Sequence, residues 1–211
     1  MSSRAGWQHS NADIFWGDIA FYDHVIQTYD SEEIFIEALA GFVNTGIQVG
    51  DCCVVIVTPE HLELLNGHLR NWGASIDILM AADRFIPVNA HELLSKMMVE
   101  GSVDEALFAN AMAPIFDRCR NTKAWIRAGG EMVGLLVAQG NWSAALQLER
   151  LWNKLHEQDK FSIFCGYAKS IFEKASRPQV DLIFAEHSKM ISGSHKQSVQ
   201  IYYKDEPLTS H

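Results

Sequence analysis

The sequence lacks any dense run of basic residues. Lys and Arg number 17 against 26 Asp and Glu, giving a net charge of −9. Clustered cations drive binding to a phosphate backbone, so an acidic chain of this kind is not expected to take DNA or RNA as its partner. Charge alone leaves a protein partner or a small anionic ligand open. The sequence also lacks an apolar run approaching the roughly 20 residues that a membrane helix needs. Its opening residues, from Met1 to Ser10, are polar and carry no apolar segment of the kind that makes a secretory leader. A cytoplasmic protein with no membrane partner is therefore expected. Cysteine is sparse: Cys52, Cys53, Cys119 and Cys165, with no Cys-x-x-Cys pair. Cys52 and Cys53 are adjacent in an apolar run, so they should face opposite sides of a strand. The set reads as buried free thiols in a reducing compartment. Internal repeats and low-complexity linkers are absent as well, and 211 residues at 48% hydrophobic suit one α/β domain with a substantial core.

What is present is an alternation of strand and helix signals from about residue 20 to 190, the doubly wound α/β pattern. Residues 1–18 read as a loosely attached amino-terminal arm with Trp7 and Trp16 as anchors, 19–204 as the domain, and 205–211 as a fraying tail. A strand beginning at His24 leads into a helix with Glu32 and Glu33 in its first turn and Gly46 at its end, and Gly50-Asp51 turns the chain into the next strand. Cys52 to Thr58 is apolar throughout, as expected of a central parallel strand buried on both faces. Pro59 starts a helix with Leu62, Leu65, Leu69 and Trp72 at helical spacing. The segment 90–100 is expected to be helical. Val103 to Cys119 reads as a helix with Leu107, Ala111, Ile115 and Cys119 on one face. Gln179 to Ser188 is a late helix, and Val199 to Tyr203 an edge strand.

Several kinds of chemistry lack their signature. The turn after the Cys52 strand reads Thr58-Pro59-Glu60, where a nucleotide hydrolase would carry Gly-x-x-x-x-Gly-Lys-Ser/Thr. It has no Gly to bring backbone N–H groups around phosphates and no Lys to offset their charge, so ordinary ATP hydrolysis is discounted. A Gly-x-Ser-x-Gly nucleophile elbow is absent. Nine histidines raise the question of a metal. However, no His-x-x-x-His pair occurs, and His61 and His68, two helical turns apart, have no obvious third ligand. Cys165 lies within an apolar strand, which points to burial rather than reactivity. No metal site, no identified cofactor and no turnover reaction are expected.

The most informative stretch runs from Ala124 to Tyr167, where two short apolar strands bracket an amphipathic helix in a βαβ unit. Glu131 sits where the first of these strands ends, and the carboxyl edge of a parallel sheet is where ligands bind. Gly129-Gly130 reads either as a tight strand-to-helix turn or as part of a site that aims Glu131 into the crevice, within reach of a ligand or of Arg127. Glu149 and Asn153 are four apart and share a helix face beside Leu148, Leu151, Trp152 and Leu155. They form either a structural hydrogen-bond network or a pocket lining. His187 either packs a late helix or meets a ligand. His24 opens a strand, as a surface imidazole or as a pH-responsive one. With Tyr29, Thr58 and Tyr167, these residues make the candidate binding set.

From His24 to His187 the chain resembles the MEDS domain, a sensory domain of methanogens and methylotrophs. The pieces that carry the resemblance are His24-Val-Ile-Gln-Thr-Tyr-Asp-Ser-Glu-Glu, the stretch from Gly46 to Thr58, Gly129-Gly130-Glu131-Met, Leu148-Glu149 with Asn153, Ser162-Ile-Phe-Cys-Gly-Tyr167, and Glu186-His187-Ser. Each is weak alone; their order and spacing over about three quarters of the chain are more specific. The chain departs from the family at Val133-Gly134, where a Trp is frequent, and at Thr28, where an aromatic is usual. The resemblance implies a RecA-like, mainly parallel sheet flanked by helices, without a working phosphate loop. It also implies a sensory role, with a histidine kinase or response regulator as separate partner; a homo-oligomer is expected as part of the output. Two alternatives stay open: a degenerate RecA-like nucleotide-binding protein, and an interaction module whose crevice is vestigial.

Overall fold

The computed structural model describes residues 7–10, 19, 22–194 and 197–204. In chain order, β1 (Trp7–Ser10) and β2 (His24–Tyr29) lead into α1 (Glu32–Val49). Then come β3 (Cys52–Val57), α2 (Pro59–Asn71), α3 (Ile76–Ala81) and β4 (Phe85–Asn89). The short helix α4 (Ala90–Ser95) precedes a small hairpin of β5 (Met98–Val99) and β6 (Ser102–Val103). Helix α5 (Glu105–Thr122), strand β7 (Ile126–Gly130), and helices α6 (Met132–Ala138) and α7 (Trp142–Asp159) follow. The last elements are β8 (Ser162–Ala168), α8 (Lys169–Glu173), α9 (Arg177–Ala185), β9 (Lys189–Ser194) and β10 (Gln197–Lys204).

The main sheet has the order β1-β10-β9-β2-β8-β7-β3-β4. The six strands from β9 to β4 are parallel, and β10 and β1 add antiparallel to one edge. Parallel central strands need both faces covered, and every residue of β2 and β3 is buried. Helices α1, α2 and α3 cover one face, packing Phe35, Leu39, Phe42, Leu65 and Leu69 on Val25, Val55, Val57 and Phe164. The other face carries the larger core, with Phe108, Met112, Phe116, Leu148 and Trp152 against Ile26, Ile56, Ala128, Ile163 and Tyr167. This is the doubly wound architecture, a single α/β domain.

This winding creates two topological switch points. At the carboxyl ends, β2 feeds a helix on one face while its neighbour β8 feeds a helix on the other, and the same holds for β3 and β7. Crevices form at such points in open parallel sheets. The β3–α2 turn carries Thr58 and Pro59. The β2–α1 turn, Asp30-Ser31 ahead of Glu32 and Glu33, likewise offers neither Gly nor Lys. Neither switch point therefore has the residues of a phosphate cradle.

Several local expectations shift. Helix α1 runs past Gly46 to Val49, and Gly50, at φ 99°, is the residue that turns the chain. Gly46 serves packing instead: a Cβ there would lie 2.7 Å from the side chains of Arg127 and Cys53. The helical reading of 90–100 shortens to α4, because the chain turns into the β5–β6 hairpin. The buried face of α5 is Phe108, Met112, Phe116 and Cys119, with Leu107 exposed, since the aromatic row fills the core beside Trp152. The connection from β7 to β8 is two helices, broken at Gly140-Asn141, where Asn141 Oδ1 caps α7 through the Ala144 N–H. Trp7–Ser10 of the expected arm pairs with β10, which is therefore not the outermost strand; Trp16 and the 205–211 tail lie outside the described residues. Cys52 and Cys53 do face opposite cores. Cys52 is joined to Cys119 of α5 in a disulfide, against the expectation of four free thiols, because the fold brings two residues 67 apart in sequence onto one side of β3. Cys53 and Cys165 are free and buried.

Candidate functional site

The predicted site residues separate into two clusters and one outlier. The first cluster lies at the carboxyl edge, at the β3–β7 switch point. Strand β7 approaches β3 so closely at its end that a Cβ on Gly130 would lie 2.0 Å from the Ile56 carbonyl oxygen. Only glycine fits there, and the next residue, Glu131, then hydrogen-bonds the Ile56 carbonyl through its N–H at 3.2 Å. Its side chain crosses to the start of α2. Glu131 Oε1 accepts the Thr58 N–H at 2.8 Å and lies 2.7 Å from His61 Nδ1. Thr58 Oγ1 in turn caps α2 by accepting the His61 N–H. The His61 hydrogen bond to the Glu131 carboxylate raises the pKa of His61 above its usual value, against the opposing effect of burial. Tyr29 stacks on Phe35, which meets the His61 ring edge-on. Burial, with Glu131 and Glu32 nearby, pushes the Tyr29 hydroxyl above its ordinary range.

A small cavity runs beneath this edge, between the sheet and helices α6 and α7. Ile56, Ala128, Ile163, Met132, Val133, Trp152 and Cys165 line it, with Glu131 at its polar end. The space open to the centres of water-sized molecules is ≈ 20 Å³. A single water needs roughly 10–15 Å³ on that measure, so the cavity suits one or two small bodies and not a nucleotide.

The second cluster is fully enclosed on the same face of the sheet. Cys165 and Tyr167 alternate on β8, and His24 starts the adjacent β2. Glu149 and Asn153 come from α7, and His187 follows α9. Ser188 fixes His187 beside β2: its N–H donates to the His24 carbonyl at 2.8 Å, and its Oγ accepts the His24 N–H at 3.0 Å. Glu149 is the centre. Tyr167 donates its hydroxyl to Glu149 Oε1. His24 Nε2 is 3.3 Å from Glu149 Oε2, and His187 Nε2 is 3.3 Å from Glu149 Oε1. His24 Nε2 also lies 3.3 Å from Cys165 Sγ. Burial opposes ionisation of Glu149, but the proximity of His187 and His24 outweighs it and holds the carboxyl well below the usual carboxylate range. Burial, then His187, lowers His24, while burial and Glu149 raise Cys165 and Tyr167.

Arg127 belongs to neither cluster. Of the two partners open for Glu131, a ligand or Arg127, geometry removes Arg127. Arg127 lies near the other end of β7, paired in register with Cys53, and its Nε donates to Asp51 Oδ2 at 2.6 Å. Its guanidinium also covers the Phe42 ring at 5.2 Å. His24 is buried, not a surface imidazole, and His187 sits within the second cluster. Two participants were not singled out from the sequence. His61 was weighed only as a metal ligand, although its place three residues after the Thr58 cap aims it at the switch point. Cys165 was read as inert, although the period of two along β8 puts it on the face of Tyr167.

Among solved structures, the chain resembles a KaiC-like protein, PH0186, from Pyrococcus horikoshii OT3. That match has a TM-score of 0.58 and 13% identity, covering 90% of this chain and 83% of that one. It also resembles protein PH0250 of the same organism, with a TM-score of 0.56, 10% identity and 87% coverage of both chains. A third is the flagellar accessory protein FlaH from Methanocaldococcus jannaschii, with a TM-score of 0.54, 9% identity, and 87% and 77% coverage. At such identities the likeness shows the RecA-like fold alone. No curated protein matches the chain in sequence. One family profile does match, that of the methanogen/methylotroph, DcmR sensory domain, over residues 23–183, which takes in the edge cluster and all of the enclosed cluster except His187 and points to a sensory or signalling role. The chain belongs to the MEDS family of sensory domains.

Proposed function

We propose that this protein is a non-catalytic sensor that holds a small, weakly polar molecule in the cavity at the carboxyl edge and passes its occupancy to a separate signalling partner through α2. The carrying observation is the cavity itself, walled by apolar side chains and by Cys165, with Glu131 at its polar end. Its size and apolar lining suit a compound of a few heavy atoms. Glu131 links that space to α2 through the Thr58 N–H and His61. Helix α2 and the neighbouring α3 expose Leu64, Trp72, Ile78 and Met80, apolar side chains suited to a partner such as a histidine kinase, a response regulator or a second copy of the chain. Among the described residues no helix is long and apolar enough to cross a membrane.

Trp152 lines the cavity and reports on it. Titration with one- and two-carbon organic compounds should change Trp152 emission saturably. The Trp152→Phe variant supplies the baseline, and Ala128→Leu, which fills the space, should abolish the response. A response that never saturates, or one that persists in Ala128→Leu, overturns this reading.

A further inference from the structure

The enclosed cluster turns four metal-ligating side chains toward one another. His187 Nδ1 is 2.8 Å from the Ile183 carbonyl oxygen, which can only accept, so Nδ1 carries the proton. Asn153 donates its amide N–H groups to the Glu186 carbonyl and to Glu186 Oε2, both at 3.0 Å. That orientation leaves Asn153 Oδ1 facing His24 Nδ1 at 2.8 Å, so there too Nδ1 is the donor. Each imidazole has its Nδ1 engaged outward and turns Nε2 inward. The two Nε2 atoms meet the Glu149 carboxylate and the Cys165 sulfur. His187 Nε2 is buried and makes no hydrogen bond to the described residues, although it lies 3.3 Å from Glu149 Oε1. Two imidazole nitrogens, a carboxylate and a sulfur from four separate elements thus converge on one enclosed point.

We propose that His24, Glu149, Cys165 and His187 form a binding site for one divalent transition-metal ion, of which zinc is the best match. One donor atom from each of the four lies within 4.8 Å of all the others. Tetrahedral zinc with N, O and S ligands has ligand-to-ligand edges of about 3.3–3.7 Å; the separations of 3.3 Å from His24 Nε2 to Glu149 Oε2 and to Cys165 Sγ already fit, and His187 Nε2, 3.3 Å from the other oxygen of the same carboxylate, joins them by a small side-chain movement. Two imidazoles, a thiolate and a carboxylate suit zinc rather than the all-oxygen preference of magnesium or calcium. A dication also balances the two anionic ligands, leaving no net charge in a core without solvent. The outer contacts have the form that metal-ligating groups require. Each imidazole Nδ1–H is held by a carbonyl oxygen, and the carboxylate accepts the Tyr167 hydroxyl. Local spacing could not show this set, because it comes from β2, α7, β8 and the residue after α9.

Cobalt(II) provides the test, with chelator-stripped, reduced protein as the starting point. One ion per chain should bind, with the visible bands of a tetrahedral centre and a near-ultraviolet thiolate-to-cobalt band, and zinc should displace it. Cys165→Ser should lose the near-ultraviolet band. Asn153→Ala, which removes only an outer partner, should keep the band while weakening binding roughly 10–100-fold. His61→Ala, outside the cluster, should change neither. Absence of saturable one-to-one binding, or a spectrum unaltered by Cys165→Ser, overturns the proposal. Should the ligand variants fail to fold, the wild type still decides: excess zinc must raise its Tm, and a melting curve indifferent to zinc sinks the site. The cavity reading fails independently, because its test reads Ala128 and Trp152, neither of which is a ligand.

Discussion

Replacing Glu131 by Gln tests the edge cluster in a way that separates charge from shape. The amide keeps an oxygen for the Thr58 N–H but removes the negative charge that His61 faces at 2.7 Å. A hydrogen bond between charged groups contributes about 1.5–3 kcal/mol when partly buried. The sign of the pH dependence follows from His61, whose folded-state pKa is raised. Its contribution is fully present below the unfolded value of about 6.5 and is lost as pH rises through the higher folded value. Urea unfolding of wild type and Glu131→Gln should therefore differ by about 2 kcal/mol near pH 5.5, or roughly 4–8 °C in Tm for a chain of this size. The gap should narrow steadily on the alkaline side of about pH 6.5 as His61 deprotonates in the wild type. A gap that is equal at both ends of the range would show that His61 carries no charge linked to Glu131. A gap that widens with pH would reverse the sign and refute the reasoning outright.

Three further outcomes follow from contacts already described. Asp51→Ala should destabilise by about 3–5 kcal/mol in urea melts, because it removes the carboxylate that pairs with the Arg127 guanidinium at 6% side-chain exposure; small-molecule response per folded molecule should be unchanged, since this pair lies away from both clusters. Gly130→Ala should cost at least about 3 kcal/mol or prevent soluble expression, its Cβ meeting the Ile56 carbonyl oxygen, whereas Gly67→Ala, with open space around it, should be tolerated. Thr58→Ala removes the α2 cap and should cost about 1 kcal/mol, read as a fall in denaturation midpoint with unchanged slope.

The sequence made the layers legible but not the pairing of side chains across them. The unbroken apolar run of β3 announced a strand buried on both faces, and the Gly-Gly-Glu at the end of β7 marked the carboxyl edge. Both readings depend on local pattern. Arg127 shows where local pattern stops: four residues from Glu131, it was a plausible partner, but the two lie at opposite ends of β7 and a short strand separates them. Glu149 and Asn153 were placed on one helix face, and two accounts of them stayed open because a helix face does not name what it meets. His24 was open between a surface imidazole and a site residue, because its place at the start of a strand does not say what covers it; the segment carrying His187 and Ser188 does so. The Cys52–Cys119 disulfide escaped notice for the same reason, since its partners come from β3 and α5.

The two clusters are not mechanically independent. Cys165 belongs to the enclosed cluster and also walls the cavity, and the next residue, Gly166, faces α6. A Cβ on Gly134 of that helix would lie 2.9 Å from the Gly166 carbonyl oxygen, so helix and strand are in backbone contact at this point. Helix α6 begins directly after Glu131, the residue that holds the start of α2. A body entering the cavity must therefore displace α6, strand β8 or the side chains between them, because packed interiors yield little by compression. Displacing α6 moves Glu131 and disturbs its bonds to Thr58 and His61. Displacing β8 moves Cys165 relative to Glu149 and His24. An ion bound by those residues would stiffen β8 and leave α6 as the compliant wall. Occupancy would then be directed toward the carboxyl edge and the exposed face of α2 rather than dissipated in the core. Cobalt-loaded protein makes this coupling visible: a small molecule in the cavity should leave the thiolate-to-cobalt band in place while shifting the melting difference between wild type and Glu131→Gln.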